Sequence, residues 1–222
     1  MKRRQAIKIT SIGAISLSAS ISSSCSKNTY SFNHGVASGD PLEDRVILWT
    51  RVTPQQAGPV EAILEISEDD NFSKIAYSKK LRTSSLSDYT IKYDFLAKQY
   101  CDSDKGFFYR FRAGSSISEI GKSKTFSKNT VSAKIGVFSC SNFPAGYFNA
   151  YQAAAEKNDL DLWLHLGDYL YEYPMGGYAT DNAEKLGRTP SPMHEMITLS
   201  DYRQRHAQYK LDQGSIALHK HA

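Results

Sequence analysis

The sequence predicts an immunoglobulin- or fibronectin-like β-sandwich over residues 32–126, followed by the first part of an α/β domain over residues 133–222. Three observations support this. Apolar and polar residues alternate through the first region, which is the period of half-buried strands. Strands then begin to alternate with a helix, which is typical of a parallel sheet. Of the 222 residues, 41% are apolar and 12% aromatic, enough for packed cores.

Residues 1–25 have the composition of an export signal. Met1 to Arg4 is positively charged, and Ile7 to Ile21 is mildly apolar but too short and too polar to span a membrane stably. The Arg3-Arg4 pair resembles a twin-arginine signal. Ala6 stands where that signal prefers a bulky apolar residue, so a general secretory signal remains an alternative. We expect the mature protein outside the cytoplasm: in the periplasm, at the cell surface or secreted.

Cys25 ends the run Ile-Ser-Ser-Ser-Cys, which resembles a loose lipoprotein box. In that interpretation Cys25 is lipidated and anchors the mature chain to a membrane. In the alternative, the run is an ordinary small-residue cleavage site and Cys25 is incidental, since position 22 is Ser rather than a branched aliphatic residue. Both interpretations stay open.

The formal net charge of +4 is located in this leader, because the first 24 residues contain four basic side chains and no acid. The remainder is formally neutral and has no basic patch, which argues against nucleic-acid binding. The other cysteines, Cys101 and Cys140, fall in different predicted domains, so we do not expect a disulfide between them.

The predicted sandwich is built from short strands separated by polar turns. Its clearest strands are Arg45–Val52, Val60–Ile66, Tyr89–Phe95 and Phe107–Arg112. The region has no cluster rich in His, Cys or Gly. Taken alone, it would be interpreted as a binding or spacer module.

The second region opens with one βαβ unit. The pattern predicts a strand over Ile135–Phe138, a helix over Tyr147–Lys157 and a strand over Asp161–Leu166. Such a unit implies two parallel strands, and ligands gather at the carboxyl ends of parallel strands. We therefore expect Cys140 and Asp168, which follow the two strands, to lie at the same edge of the sheet.

The last part of the chain reads as a loop over residues 174–199, a helix capped by Ser200 over Asp201–Leu211, and a second helix beginning near Ser215. A two-stranded parallel sheet cannot cover both of its faces. We therefore expect residues 133–222 to be an incomplete domain.

Leu166 to Tyr171 is the sharpest motif. A carboxylate that leaves a strand, here Asp168, can bridge two metal ions, and Gly167 lets the backbone turn tightly beside them. Tyr171 lies three residues on, and a phenolate is a hard anionic donor that suits iron(III). Two-metal sites drive phosphoester hydrolysis. In the alternative interpretation, Asp168 merely caps a turn.

Cys140 has three interpretations: a buried small hydrophobe, a metal ligand or a nucleophile. A cysteine nucleophile needs a neighbouring histidine. His165 lies inside a predicted strand, where we interpret it as structural. The remaining histidines show no ligand spacing among themselves: His34, His194, His206, His219 and His221.

Five segments, in this order, resemble the PhoD family of alkaline phosphatases along almost the whole exported chain. They are Phe32–Pro41, Arg45–Val52, Phe138–Asn142, Gly167–Tyr173 and Asp201–Tyr209. The resemblance implies a fibronectin-like sandwich and a four-layered metallophosphatase domain. It also implies hydrolysis of phosphomonoesters and phosphodiesters at alkaline pH, outside the cytoplasm.

The resemblance further implies a site that holds iron(III) and calcium. By matching position, Cys140 and Tyr171 would bind iron, and Asp168 would bridge both ions as the catalytic centre. The Trp-Asp-Asp-His-Glu-type motif and the later Asn and His ligands of the family are not found in this sequence. We therefore expect a truncated form that is inactive alone. An inactive exported β-sandwich binding module with a remnant phosphatase domain is the alternative.

Overall fold

The computed structural model describes residues 29–101 and 106–221. The expected signal segment and Cys25 lie outside these residues. The strands within them are β1 (Tyr30–Ser31), β2 (Val36–Gly39), β3 (Val46–Arg51), β4 (Thr53–Pro54), β5 (Val60–Ser67), β6 (Tyr77–Thr83), β7 (Thr90–Phe95), β8 (Phe107–Ala113), β9 (Ser116–Ile117), β10 (Gly121–Ser123), β11 (Ile135–Phe138) and β12 (Leu162–His165). The α-helices are α1 (Asn149–Lys157), α2 (Leu199–Tyr209) and α3 (Gln213–His219).

The N-terminal unit consists of antiparallel sheets around one core. One sheet has the order β2-β3-β7, a second has the order β10-β8-β5-β6 with β9 added to β8, and β1 and β4 form a small third sheet. Inward residues alternate with outward ones along β3 and β8, as the sequence pattern predicts. The two larger sheets meet where the ring of Phe95 in β7 lies 5.2 Å from the ring of Phe107 in β8. The unit is sandwich-like, and its assignment to the immunoglobulin or fibronectin type stays a prediction.

The predicted βαβ unit is present. Strands β11 and β12 pair in parallel, with Ile135 opposite Leu162 and Phe138 opposite His165, and α1 lies between them in the chain. One face of this pair is covered by helices. The Phe138 ring lies 4.9 Å from Tyr151 of α1, and the Trp163 ring lies 4.6 Å from His219 of α3.

The opposite face of the β11–β12 pair is open. Because strand side chains alternate between faces, its apolar residues share one side. They are between 45% and 72% exposed: Ile135, Val137, Leu164 and Leu166. The expectation that this sheet leaves a face uncovered therefore holds for the described residues.

The boundaries of the three helices differ from those expected. Helix α1 begins at Asn149 rather than Tyr147. Ser200 as the cap of α2 is wrong, because Thr198 caps that helix in a reciprocal capping box with Asp201. Asp201 N–H donates to Thr198 Oγ1 at 3.3 Å, and Thr198 N–H donates to Asp201 Oδ2 at 2.8 Å. Helix α3 begins at Gln213 rather than near Ser215.

The second unit packs on the first through α2 and α3. Lys122 N–H of β10 donates to the carbonyl of Lys220 at 2.8 Å. Gly35 has φ +67°, and a Cβ there would lie 3.1 Å from Ile216 Cγ2 of α3, so glycine serves both the backbone and the packing. Among the helices of residues 29–101 and 106–221, none has the length and apolar character needed to cross a membrane.

Candidate metal centre

The loops that follow β11 and β12 are tied together by main-chain hydrogen bonds. Cys140 N–H donates to Gly167 O at 3.1 Å, and Ser141 N–H donates to Asp168 O at 2.9 Å. These bonds extend the parallel pairing beyond the strands. They place Cys140 and Asp168 at one edge of the sheet, as predicted.

Both residues adopt a backbone conformation that is uncommon for residues with a side chain. Cys140 has φ +59° and Asp168 has φ +55°, which is the left-handed region. Such conformations persist where the surrounding structure determines them, and they cluster at functional sites. The expectation that Gly167 eases the turn agrees with its φ of +136°.

Three side chains of different chemistry meet at this edge. Cys140 Sγ lies 3.7 Å from Asp168 Oδ2, and the Tyr171 hydroxyl donates to the same oxygen at 3.1 Å. Cys140 and Asp168 are exposed to solvent. The structure thus brings together all three of the predicted site residues, around one carboxylate oxygen.

The phenol of Tyr171 is held in its protonated form in this arrangement. Desolvation, followed by hydrogen bonding to Cys140 and Asp168, raises the pKa of Tyr171 above its ordinary value. A neutral phenol donates a hydrogen bond, which is what the carboxylate of Asp168 accepts.

The donor set fits a metal ion only when Tyr171 is counted. In the described part of the chain, no three His, Cys, Asp or Glu side chains are grouped so as to hold a metal. The thiol and the carboxylate are two donors, and the phenol oxygen is the third. Soft sulfur beside two hard oxygens favours a transition metal such as iron over a purely oxygen-ligated ion.

Three of the histidines, His165, His194 and His206, contact residues other than Cys140. His165 Nε2 lies 3.0 Å from Ser141 Oγ on the covered side of the sheet, in keeping with a structural role. His194 lies 3.3 Å from Asp201 Oδ1. His206 packs edge-on against Trp49, with 6.2 Å between the ring centres. In the described residues, Cys140 Sγ has its hydrogen-bond contact with Asp168 and none with a histidine.

Cys140 and Cys101 are both free thiols. Cys101 packs against the core of the sandwich-like unit and Cys140 follows β11, so they lie in different units, as predicted. Burial raises the pKa of the half-buried Cys101 thiol to about 11, which lowers the fraction of reactive thiolate.

One residue that contacts the main chain of the site was not singled out from the sequence. Arg205 of α2 is 1% exposed, and its guanidinium donates to the carbonyl of Tyr171 at 2.6 Å. The available signal was an arginine inside the Asp201–Tyr209 helical motif. Nothing in the helical period distinguishes it from Arg203, two residues earlier.

Both units are similar to known proteins. Residues 17–127 match the family described as "PhoD-like phosphatase, N-terminal domain", and residues 135–222 match "PhoD-like phosphatase". The chain is 37% identical to alkaline phosphatase D of Bacillus subtilis (strain 168) over 223 residues, covering 94% of this chain and 36% of that protein. A solved structure titled "Structure of PhoD" superposes with a TM-score of 0.76 at 34% identity, covering 86% of this chain and 37% of that one.

The chain thus spans a little over a third of the length of these two relatives. The likeness nevertheless runs through the sandwich-like unit and the βαβ unit in the same order. Since both units match one family at this level of identity, the protein belongs to the PhoD-like phosphatases.

Proposed function

We propose that this chain forms part of a metal-dependent phosphoester hydrolase of the alkaline phosphatase D type. The substrates are phosphomonoesters or phosphodiesters, and the reaction takes place outside the cytoplasm. The cluster of Cys140, Asp168 and Tyr171 is the observation that carries the proposal, since it joins a thiol, a carboxylate and a phenol at the carboxyl end of a parallel sheet.

Each residue has a distinct part in the proposed site. Tyr171 and Cys140 would hold iron(III), and the two oxygens of Asp168 would bridge iron and calcium. Bound there, the ions would activate water and stabilise the charge on the phosphoryl oxygens. Asp168 Oδ2 already contacts both other donors, so a single carboxylate sets the spacing of all three.

The proposed location follows from the leader. Residues 1–25 have the order of a positive segment, an apolar segment and small residues, which is that of an exported protein. Export is part of this proposal, through a twin-arginine or a general secretory signal, with the mature chain either anchored by a lipid on Cys25 or released. The apolar face of the β11–β12 pair would then be presented to the exterior unless a further element covers it.

Iron(III) titration of the purified chain tests the metal site. A phenolate bound to iron(III) gives a visible charge-transfer band, so we expect colour on addition of iron. Tyr171→Phe should abolish the phenolate contribution to the visible absorption. Tyr173→Phe is the matched control. The Tyr173 ring stacks on the Tyr171 ring with 6.0 Å between their centres, and this exchange removes only the Tyr173 hydroxyl group.

Two results would refute the site. One is the absence of iron binding by the unmodified chain. The other is a band and an iron content that Tyr171→Phe leaves unchanged. The alternative function, an exported binding module without a metal, predicts the first of these outcomes.

A further inference from the structure

Arg205 is a fully buried cation in helix α2, and its side chain is 1% exposed. Burying a guanidinium is costly unless its donors are satisfied. Burial lowers the pKa of Arg205 from its ordinary value, although its attraction to Tyr209 and Glu172 opposes this. A buried charge that is retained at such a cost needs a structural or functional reason.

The hydrogen bonds of this guanidinium, within the described residues, go to main-chain carbonyls. Nη1 donates to Tyr171 O at 2.6 Å, Nη2 to Pro192 O at 2.7 Å and Nε to Ser191 O at 3.2 Å. Longer contacts of 3.3 and 3.4 Å reach Tyr173 O. The planar fork of arginine suits several acceptors in fixed directions, which lysine cannot reproduce.

These acceptors belong to two segments that no strand or helix holds. Tyr171 and Tyr173 follow β12, which ends at His165, and residues 191 and 192 lie in the loop before α2. The two segments also bond to each other, since Met175 N–H donates to Met193 O at 2.7 Å and Met196 N–H donates to Glu172 O at 3.1 Å. Arg205 therefore stands at the point where both segments meet the helix.

Neighbouring side chains of α2 strengthen this attachment. Gln208 accepts from Ser191 N–H at 2.9 Å and donates to Thr189 O at 2.7 Å. Tyr209 accepts from Phe143 N–H at 3.0 Å, on the loop that follows Cys140. One helix thus fixes both loops that carry the candidate metal donors.

We propose that Arg205 is a positioning residue, which holds the main chain of Tyr171 so that the phenol reaches the metal beside Asp168. The inference rests on the proposed function. Tyr171 lies in an irregular segment, and a metal donor must be placed to within about 0.5 Å to be effective. The 2.6 Å bond to its carbonyl is the shortest of the five that the guanidinium makes to main-chain carbonyls.

The test compares Arg205→Lys with Arg203→Lys. Both exchanges keep the charge and lie on the same helix, but Arg203 Nη2 donates to Leu86 O of the sandwich-like unit at 2.7 Å, away from the site. Each variant is first examined for its thermal unfolding midpoint. Iron(III) affinity and the visible phenolate band are then measured for variants that fold.

We expect Arg205→Lys to fold, to bind iron(III) at least about tenfold more weakly and to show a weaker, shifted band. Arg203→Lys should match the unmodified chain. A purely structural role for Arg205 would lower the unfolding midpoint and leave affinity and band intact. That result would overturn the proposal.

A second measurement, made without metal, separates this proposal from the proposed function. Hydrogen exchange of residues 169–175 should be at least about tenfold faster in Arg205→Lys, while exchange in β11 stays the same. If the unmodified chain binds no iron, the metal site is refuted, but the exchange result still decides whether Arg205 holds Tyr171. Unchanged exchange in residues 169–175 would refute the positioning role. Should Arg205→Lys fail to fold, Arg205→Gln provides the same two measurements.

Discussion

The ammonium group of Lys210 lies 5.0 Å from the centre of the Trp49 ring, so that the end of α2 packs against β3 of the sandwich-like unit. Lys210 is 3% exposed, and burial lowers its pKa to about 7. We call this contact between α2 and the sandwich-like unit the seam, and His34 and His206 also lie in it. The pKa of each is lowered to about 4, first by burial and then by neighbouring cations.

This seam predicts a fold that is more stable at alkaline pH. Lys210 binds its proton below about pH 7 when folded, and below about 10.4 when unfolded. Between these values the unfolded chain carries more protons, so the free energy of unfolding rises with pH, by up to about 1.4 kcal/mol per unit. The gain is lost as pH falls towards 7, and Lys210 adds no further slope below its folded pKa.

Urea unfolding at several pH values between about 7 and 9 measures this slope. The control is Lys210→Met, which keeps much of the side-chain volume but cannot titrate. It should remove the slope over that range. An equal slope in both proteins would show that Lys210 is not the group responsible.

The strands and the site edge were predictable because their causes are local. Apolar alternation fixes which side of β8 is buried, and the rule for parallel strands brings Cys140 and Asp168 to the same edge. The cap of α2 was also present in the sequence, since Thr198 and Asp201 have the spacing of a capping box.

The parts that escaped prediction depend on distant packing. The burial of Lys210 requires knowing that α2 ends on Trp49, more than 150 residues earlier in the chain. The left-handed backbone at Cys140 depends on hydrogen bonds between two loops. The role of Arg205 depends on four carbonyls that come from separate segments. No local period encodes any of these relationships.

Arg188 and Asp212 form a buried ion pair, so we expect a substitution in this pair to lower the free energy of unfolding strongly. Arg188 Nη1 lies 2.7 Å from Asp212 Oδ2, and both side chains are 5% exposed. The guanidinium also stacks 3.6 Å from the centre of the Phe143 ring. Asp212→Asn would keep an oxygen for the cap of α3 but leave the arginine without its counter-charge. We expect a loss of about 3–5 kcal/mol in the free energy of unfolding.

Chemical denaturation measures this loss, and an exposed pair provides the comparison. Lys134 Nζ lies 2.9 Å from Asp159 Oδ2 in a solvent-exposed pair. Asp159→Asn should therefore leave the midpoint nearly unchanged. Similar effects of the two exchanges would contradict the importance of burial.

Cys140 is predicted to be a thiolate ligand of the metal rather than a nucleophile. Alkylation by iodoacetamide should modify the exposed Cys140 faster than Cys101, whose pKa is raised to about 11 by burial. Bound iron(III) should then protect Cys140 and leave the slow reaction of Cys101 unchanged. Peptide mass spectrometry resolves the two sites. A phosphocysteine trapped during turnover would show that the ligand assignment is wrong.

The last prediction concerns catalysis by this chain alone: we expect no appreciable phosphatase activity. A two-metal mechanism needs donors on both sides of a pair of ions, with water and substrate between them. In the described residues, Cys140 and Tyr171 both contact one carboxylate oxygen of Asp168. These three side chains therefore provide only one side of such a site.

The exposure of the site to solvent also argues against catalysis by this chain alone. Cys140 and Asp168 are exposed, so water is not excluded, and Leu166 beside them is 72% exposed. Electrostatic stabilisation of a transition state is strongest in an enclosed site with fixed donors.

The measurement is hydrolysis of a chromogenic phosphodiester at alkaline pH, with iron and calcium added. Alkaline phosphatase D of Bacillus subtilis, assayed in parallel, shows that the conditions support the reaction. Robust metal-dependent turnover by this chain, abolished in Asp168→Asn, would contradict the prediction. It would mean that a second set of donors assembles from side chains that now lie outside the cluster. The residues to replace would then be Glu172, Asp181, His194 and His206.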